Sequence, residues 1–529
     1  MIRNVFISAI LTLLYLLAGN VIAMEVCVEP IQTTEGPVVG IPAADGGSCA
    51  YLGIPYAAPP VGDLRFKAPH PPEVREGVFN AHEFSPSCIQ DEHISSGGKS
   101  ESFSEDCLTL NIWRPVAPGK YPVMYWIHGG GYVQGASNYA MYNGANLAAK
   151  RGVVVVSVNY RLGLLGFLAL EELAAEDENG GTGNYGLLDQ IQGLAWIKNN
   201  IAAFGGDPEN VTIFGHSAGG VSVCNIMASP LARGMFHKAI LQSGACDMVA
   251  DLENGYAREL DMARELGCEG DGMLDCLRAK PARKFKKQYG VMTWAHVDGH
   301  ALKAMPIEAI RSDEYNKTPL VVGSTFNEMD LMLLFMPPLK LVSQKTIEKK
   351  IREIIPKLAD KILELYPFSE FKRPIYLALK LLSDGFASRA YQAAEATSKD
   401  NNVYMYRVDW RDIRFGKTTG AFHGIELPLV FGNLRLPHGL GIGMLFNKKK
   451  VRKSAEPLSE KLMSYWTNFA KTGNPNGEGL EEWPKYSTSN RKRIIFNNTI
   501  TVQPITDKDL QRYDFFSGHT IEEMGFTDF

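Results

Sequence analysis

The sequence lacks an excess of positive charge. Its 54 lysine and arginine residues are slightly outnumbered by 58 aspartate and glutamate residues, which gives a formal net charge of −4 at pH 7. Proteins that bind nucleic acids usually carry a basic surface, because contacts with phosphate dominate their affinity. A run of basic residues at 448–453 is typical of a solvated helix face. We therefore expect no nucleic-acid partner.

The sequence also lacks the residue spacing of a metal site. None of its eight cysteines is accompanied by histidines at the intervals typical of zinc ligands, so a metal ion is not expected. No internal repeat or low-complexity linker divides the chain. Apolar residues make up 45% of its 529 residues, which is ample for a large core. Together these features predict one folded domain over 24–529.

The N-terminus carries a short apolar run. The run at 5–18 follows Arg3 and precedes Val21-Ile22-Ala23, which is the pattern of a secretory signal with its cleavage site. The run is short for a membrane span of roughly 20 residues, although an uncleaved anchor is the alternative. No hydrophobic tail follows at the C-terminus. We therefore expect 1–23 to be a cleaved signal peptide and the mature chain to be secreted, periplasmic or extracellular, without a stable membrane anchor.

Eight cysteines behind a secretory signal are compatible with disulfides. Two pairs are close in sequence, namely Cys88 with Cys107 and Cys268 with Cys276. Cys27 and Cys49 flank the stretch 31–41 and are a candidate third pair. Cys224 and Cys246 are expected to be buried free thiols.

Strand and helix patterns alternate through the middle of the chain. Apolar runs typical of strands occur at 108–113, 122–127, 153–159, 211–214, 238–242, 319–323 and 403–408. Residues 189–203 have the apolar spacing of a helix. This alternation predicts an α/β fold with a mainly parallel central sheet covered by helices on both faces. The charged, helix-rich regions 256–288 and 339–398 are expected to form excursions above the sheet.

A candidate nucleophile follows one of these strands. The strand pattern at 211–214 leads into Gly215-His216-Ser217-Ala218-Gly219 and then into a helical pattern. Serine between two glycines can be held on a tight bend with its hydroxyl exposed, because a Cβ at either glycine would collide with neighbouring backbone. The following helix also directs its positive end toward the serine oxygen. A chance turn is the alternative.

A serine hydroxyl needs a base, and the usual base is histidine oriented by a carboxylate. Among 11 histidines, His423 has a modest lead because it lies on a glycine-flanked loop after the strand at 403–408. His128 and His216 are rivals beside two candidate active-site turns. Glu328 and Asp330 both lie on the loop after 319–323, between nucleophile and base in the chain. The residue pattern leaves both open as the orienting acid.

An oxyanion hole is predicted upstream of the serine. The triple glycine 129–131 follows the strand at 122–127, and bare amides can converge there on developing negative charge. The expected donors are the backbone N–H groups of Gly130, Gly131 and Ala218. A glycine turn without such a role is the alternative.

Several segments of the chain follow the pattern of one known family: GIPYA at 53–57, SEDCLTLN at 104–111, 126–132, NYR at 159–161, FGGDP at 204–208, 212–220, QSG at 242–244, 423–432 and 466–470. Through these segments the chain resembles the type-B carboxylesterase/cholinesterase family of α/β hydrolases. The resemblance implies the α/β-hydrolase fold, with Ser217 as nucleophile, Glu328 as acid and His423 as base. It also supports the pairs Cys88–Cys107 and Cys268–Cys276. Met329 stands where the family usually has glycine.

Two departures from the family pattern narrow the range of expected substrates. His216 stands where many relatives carry glutamate, and the short Cys88–Cys107 loop has no tryptophan to stack on a choline group. Cholinesterase activity is therefore disfavoured. We expect a secreted serine carboxylesterase that acts on small ester substrates through an acyl-enzyme on Ser217, without metal or organic cofactor. A lipase or sterol esterase for long-chain lipids and a non-catalytic cholinesterase-like binding protein are the alternatives.

Overall fold

A computed structural model describes residues 25–44, 46–91, 102–287, 294–437, 442–519 and 523–524. The predicted signal peptide at 1–23 therefore lies outside the described residues. None of the helices within the described ranges combines the length and the apolar character that a bilayer crossing requires.

An eleven-stranded sheet forms the centre of the molecule. In chain order its strands are β1 (Ile41–Pro42), β2 (Ser48–Pro55), β3 (Thr109–Pro115), β4 (Tyr121–Ile127), β5 (Val154–Val158), β6 (Gly206–His216), β7 (Lys238–Gln242), β8 (Leu320–Thr325), β9 (Val403–Val408), β10 (Lys492–Phe496) and β11 (Thr501–Pro504). Across the sheet they are arranged 1-2-3-5-4-6-7-8-9-10-11. Strands β4 to β10 are mutually parallel, and β1 to β3 and β11 add antiparallel edges. The predicted mainly parallel sheet is confirmed.

Two small sheets lie outside the central one. Three strands, Ile31–Thr33, Gly36–Val39 and Phe79–Asn80, form the first. The strands Ser87–Cys88 and Phe103–Ser104 form the second.

The central strands are buried on both faces. Every residue of β5, β7 and β8 is buried, which is why these strands read as nearly continuous apolar runs in the sequence. Successive side chains of a strand point to opposite faces. Accordingly, Tyr125 and Ile127 of β4 pack in one core, and Met124 and Trp126 pack in another.

Helices cover both cores. The α-helices are Ala145–Arg151, Gly163–Phe167, Glu171–Glu176, Tyr185–Asn200, Ala218–Ala228, Leu252–Glu265, Met273–Ala279, Pro306–Arg311, Met332–Phe335, Gln344–Ile354, Ala359–Leu365, Ile375–Thr397, Gly416–Thr419, Leu427–Val430, Ile442–Phe446, Lys449–Thr472 and Asp507–Ser517. Tyr185–Asn200 and Ala218–Ala228 pack on the first core, and Lys449–Thr472 packs on the second. The predicted excursions are helical and have apolar clusters of their own, around Met262 and around Ile347.

All eight cysteines are paired. The bonds are Cys27–Cys49, Cys88–Cys107, Cys224–Cys246 and Cys268–Cys276. The prediction that Cys224 and Cys246 are free thiols is wrong. Cys224 lies on the helix Ala218–Ala228, which packs back against β7, and Cys246 follows β7. This packing brings the two Cα atoms to 5.4 Å, within reach of a disulfide, but the sequence alone does not reveal it.

Candidate active site

Ser217 lies on a sharp bend between β6 and the helix Ala218–Ala228. Its backbone angles are φ 57° and ψ −126°, a conformation that side-chain-bearing residues rarely adopt and that costs about 1–3 kcal/mol. Its N–H donates to the Gln242 carbonyl at 2.9 Å, which ties the bend to the end of β7. The bend thus places the serine at the carboxyl edge of the parallel strands, where open α/β sheets bind ligands.

Two glycines make this bend possible. A Cβ on Gly219 would lie 2.1 Å from the Ile127 carbonyl oxygen, and one on Gly215 would lie 2.3 Å from the Gly219 carbonyl oxygen. Neither distance is compatible with a side chain. The glycine spacing therefore allows the helix to start against the end of β4, with Ser217 at the apex.

Ser217 and His423 line one cavity of about 420 Å³. Its described lining contains no aspartate, glutamate, lysine or arginine, and most of its side chains are apolar or aromatic. Those side chains are Val133, Tyr139, Met141, Tyr142, Leu331, Phe335, Phe422, Leu427, Ile442 and Leu445. Such a cavity suits an uncharged organic group.

Glu328 and His423 form a short hydrogen bond. His423 Nδ1 lies 2.5 Å from Glu328 Oε2, and the His423 N–H donates to the Glu328 carbonyl at 3.0 Å. The other carboxylate oxygen, Oε1, accepts from Ser243 Oγ at 2.7 Å and from the Thr325 N–H at 2.6 Å. Three hydrogen bonds to the carboxylate and one to the backbone carbonyl thus fix Glu328 against the imidazole.

This pairing determines the chemistry of the imidazole. Burial opposes a charged His423 ring, but the adjacent Glu328 carboxylate outweighs burial, so the pKa of His423 is raised. The hydrogen bond to Glu328 favours the tautomer protonated on Nδ1, which leaves Nε2 free to accept a proton. The arrangement is that of a general base with its orienting acid.

Asp330, the other carboxylate that the sequence leaves open, is placed differently. Its Oδ2 accepts from Asn327 Nδ2 at 3.0 Å, and burial raises its pKa to about 7. No hydrogen bond joins it to His423 among the described residues. The structure therefore places the Glu328 carboxylate against His423, whereas the Asp330 carboxylate is bound by Asn327.

The two rival histidines, His128 and His216, lie near the serine turn and the glycine loop. Neither has a carboxylate partner in the described part of the chain. His128 is buried, stacks on Tyr160 and has its Nδ1 2.9 Å from the Gly129 carbonyl. Burial lowers the pKa of His128 to about 4. His216 is buried beside His423, and burial, followed by the charge of His423, lowers its pKa well below the usual range. Both are neutral rings near neutral pH.

The triple glycine loop abuts the bend. A Cβ on Gly129 would lie 2.5 Å from the His216 carbonyl oxygen and 3.0 Å from Ser217 Cβ. Gly130 and Gly131 line the cavity with φ values of 125° and 62°. Ala218 begins its helix, so its N–H has no partner one turn earlier in that helix. The glycine loop and the start of the helix therefore both border the bend that carries Ser217.

Sequence reasoning missed residues that support the site. Ser243 donates to Glu328, and Gln242 Nε2 donates to Glu426 Oε1 at 3.3 Å. Trp466 Nε1 in turn donates to Gln242 Oε1 at 3.2 Å. All four residues belong to segments that carry the family resemblance, and that is the signal that could have found them.

Comparisons with known proteins point to one family over most of the chain. The model of the carboxylesterase family matches residues 28–515. The chain is 38% identical over 491 residues to the para-nitrobenzyl esterase of Bacillus subtilis (strain 168), covering 89% of this chain and 96% of that protein. It is 35% identical over 509 residues to the cocaine esterase of Homo sapiens, covering 87% and 86%. A solved structure of PNB esterase superimposes with a TM-score of 0.81 at 35% identity, covering 92% of this chain and 99% of that one.

Proposed function

The chain belongs to the carboxylesterase family and is a carboxylic-ester hydrolase, and from this premise we propose that Ser217, His423 and Glu328 carry out the reaction. His423 Nε2 takes the hydroxyl proton while Ser217 Oγ attacks the ester carbonyl carbon. The amides of Gly130, Gly131 and Ala218 hold the resulting oxyanion. The carbon–oxygen bond to the alcohol then breaks, and His423 donates the proton to the leaving alcohol.

The second half of the reaction regenerates the serine. Water gives a proton to His423 and attacks the acyl carbon of the ester formed on Ser217. The bond between that carbon and Oγ breaks, the proton returns to Oγ, and the carboxylic acid leaves. The Glu328 carboxylate stabilises the imidazolium that forms twice in each cycle.

One observation carries this proposal: the hydrogen bond of 2.5 Å between His423 Nδ1 and Glu328 Oε2, beside the cavity that Ser217 also lines. A solvated loop carboxylate would make no such bond. The fully buried Glu328 and its three further bonds support a dedicated orienting role.

The cavity supports uncharged esters as substrates. Its described lining carries no aspartate, glutamate, lysine or arginine. A cationic choline would therefore find no counter-ion there, and an anionic group would find one only in a protonated histidine. The relatives named for para-nitrobenzyl esters and for cocaine favour aromatic or bulky apolar ester groups.

A lipase or sterol esterase is the second candidate. Phe335 lines the cavity and is 54% exposed, and Met336 and Leu341, which follow it in the chain, are 49% and 85% exposed. Large exposed apolar side chains on a segment that borders the cavity suit an aggregated lipid substrate. Higher kcat/KM on emulsified long-chain esters than on short soluble esters would favour this candidate.

We also propose that the protein acts outside the reducing cytosol. Four disulfides join the described chain, and such bonds persist in oxidising compartments. The predicted signal peptide supports the same location. Sequencing the N-terminus of the protein recovered from the medium or periplasm would test both.

Replacing the nucleophile tests the mechanism. We expect Ser217→Ala to lower kcat on short p-nitrophenyl esters by about 10⁴-fold or more with an unchanged circular dichroism spectrum. Ser464→Ala, on the surface of the helix Lys449–Thr472, is the matched control and should keep full activity. A fluorophosphonate should label Ser217 in the unaltered protein, whereas a non-catalytic binding protein would not be labelled. Hydrolysis retained by Ser217→Ala would sink the assignment.

A further inference from the structure

The ring of His423 is in contact with two other rings. The His216 ring centroid lies 4.2 Å away at an angle of 46°, and the Phe386 centroid lies 5.0 Å away at 50°. No ring contact joins His216 to Phe386 in the part of the chain that the structure describes, so the two approach His423 from different sides. His216 lines the cavity, whereas Phe386 is half-buried on the helix Ile375–Thr397.

Hydrogen bonding alone does not hold this imidazole. Its side chain is tied at Nδ1 to Glu328, and a single bond leaves the ring free to tilt about that atom. Nε2 lies across the ring from Nδ1, so a tilt of the ring about the Nδ1 bond moves Nε2 relative to Ser217. Because an error of about 1 Å in a reacting atom can cost about 10²-fold in rate, a second constraint on the ring is valuable.

We propose that Phe386, together with His216, is a positioning residue that holds the His423 ring in the plane in which Nε2 faces Ser217. The inference rests on the proposed function and assigns a role to a helix that none of the sequence motifs includes. Both rings are compatible with the imidazolium that forms in each cycle. His216 is neutral and so does not repel the imidazolium, and the face of a phenyl ring attracts a cation.

The helix that carries Phe386 explains why the ring is fixed. The first half of Ile375–Thr397 packs through Leu377 and Leu379 into the apolar cluster of the excursion 339–398. The second half packs through Ala390 and Ala394 on the core of the central sheet. Phe386 lies between the two halves. The excursion and the sheet therefore both hold the backbone from which Phe386 reaches the base.

Three variants test the role of the ring. Phe386→Val keeps an apolar side chain on the helix but is too short to reach His423, and we expect kcat to fall about 10-fold with KM changed less than 2-fold. Phe386→Tyr keeps the ring and should restore kcat to within about 2-fold of the unaltered enzyme. Phe371→Ala removes a half-buried phenyl ring that packs in the excursion, and this control should leave kcat unchanged.

The same experiment separates this proposal from the proposed function. Fluorophosphonate should still label Ser217 of Phe386→Val to full stoichiometry, but about 10-fold more slowly, since labelling also needs the oriented base. An unchanged kcat in Phe386→Val, or an equal fall in Phe371→Ala, would overturn the positioning role while leaving Ser217 as nucleophile. Failure of Ser217 to label in the unaltered enzyme would overturn the proposed function itself.

Discussion

Glu426 is a buried carboxylate close to the candidate triad. Its side chain lies near Gln242, whose Nε2 donates to Oε1, while Oε2 has no partner among the described residues. Burial, reinforced by the Glu328 carboxylate, raises the pKa of Glu426 to about 7. The native protein therefore holds a proton on Glu426 at a pH where a solvated glutamate has already lost it.

This proton makes stability depend on pH. The folded-state pKa of about 7 lies above the ordinary value near 4.5, so the native state binds more protons between those values and its free energy of unfolding falls as pH rises. Glu426→Gln removes this dependence. We expect the stability of the unaltered protein relative to Glu426→Gln to fall by up to about 3 kcal/mol between pH 4.5 and pH 8.

Urea unfolding of both proteins at pH 4.5 and pH 8 measures this difference. Ser217→Ala serves as the common background, so that activity plays no part in the comparison. The exposed Glu478 gives the control Glu478→Gln, for which no such pH-dependent difference is expected. A stability difference for Glu426→Gln that is the same at both pH values would show that Glu426 is ionised in the native state.

Among the elements, the turn between β6 and the helix Ala218–Ala228 depends on the absence of side chains at its glycines. We expect Gly219→Ala to force the helix away from the Ile127 carbonyl, which its Cβ would otherwise approach to 2.1 Å. The expected loss is about 1–3 kcal/mol in the free energy of unfolding and at least about 10²-fold in kcat/KM. Gly77→Ala is the control, because nothing lies within 4 Å of its Cβ. Normal stability and activity of Gly219→Ala would contradict the turn geometry.

The strands that sequence predicts best are those buried on both faces. The pattern at 238–242 matches β7 and that at 403–408 matches β9, because a strand covered on both sides needs apolar residues throughout. The pattern at 211–214 finds only part of β6, which starts at Gly206. Its polar first half pairs at the end of the sheet, where side chains reach solvent. The sequence patterns also omit β11, an edge strand whose four residues are all exposed, and β10, whose apolar residues are preceded by Lys492 and Arg493.

Contacts between distant loops are what the sequence cannot supply at the site. The order of nucleophile, acid and base follows from chain position, and the glycines that surround Ser217 follow from their spacing. The residue pattern alone leaves Glu328 and Asp330 open. The family resemblance favours Glu328, and the packing of two loops brings its carboxylate to His423. The contact of Phe386 with His423 has no local signal, because a half-buried phenylalanine on a long helix is ordinary.

At the level of the whole molecule, the site lies where several parallel strands end on the same edge. Ser217 follows β6, Ser243 follows β7, Glu328 follows β8, and His423 lies on the loop after β9. Three consecutive neighbours in the sheet and the loop of a fourth therefore converge without any one of them carrying the whole site. The site is only as rigid as the connections that hold these strand ends together.

The bond Cys224–Cys246 is such a connection, since it ties the helix behind Ser217 to the segment after β7. It spans 22 residues and Cys268–Cys276 spans 8, which in the loop-entropy view corresponds to about 3.4 and about 2.5 kcal/mol. Both Cys224 and Cys246 are buried, whereas of the second pair only Cys268 is, so truncating the first pair adds the larger cavity cost.

We therefore expect the double variant Cys224→Ala/Cys246→Ala to lose more stability than Cys268→Ala/Cys276→Ala, by about 1 kcal/mol or more. Urea midpoints measured under oxidising conditions, with kcat/KM recorded in parallel, make the comparison. The Cys224→Ala/Cys246→Ala variant should also lower activity, because the helix that holds Cys224 carries the amide of Ala218. Cys268 and Cys276 lie in the excursion 256–288, so their replacement should leave activity unchanged. Equal losses, or the reverse order, would mean that the bond behind Ser217 does not constrain the site.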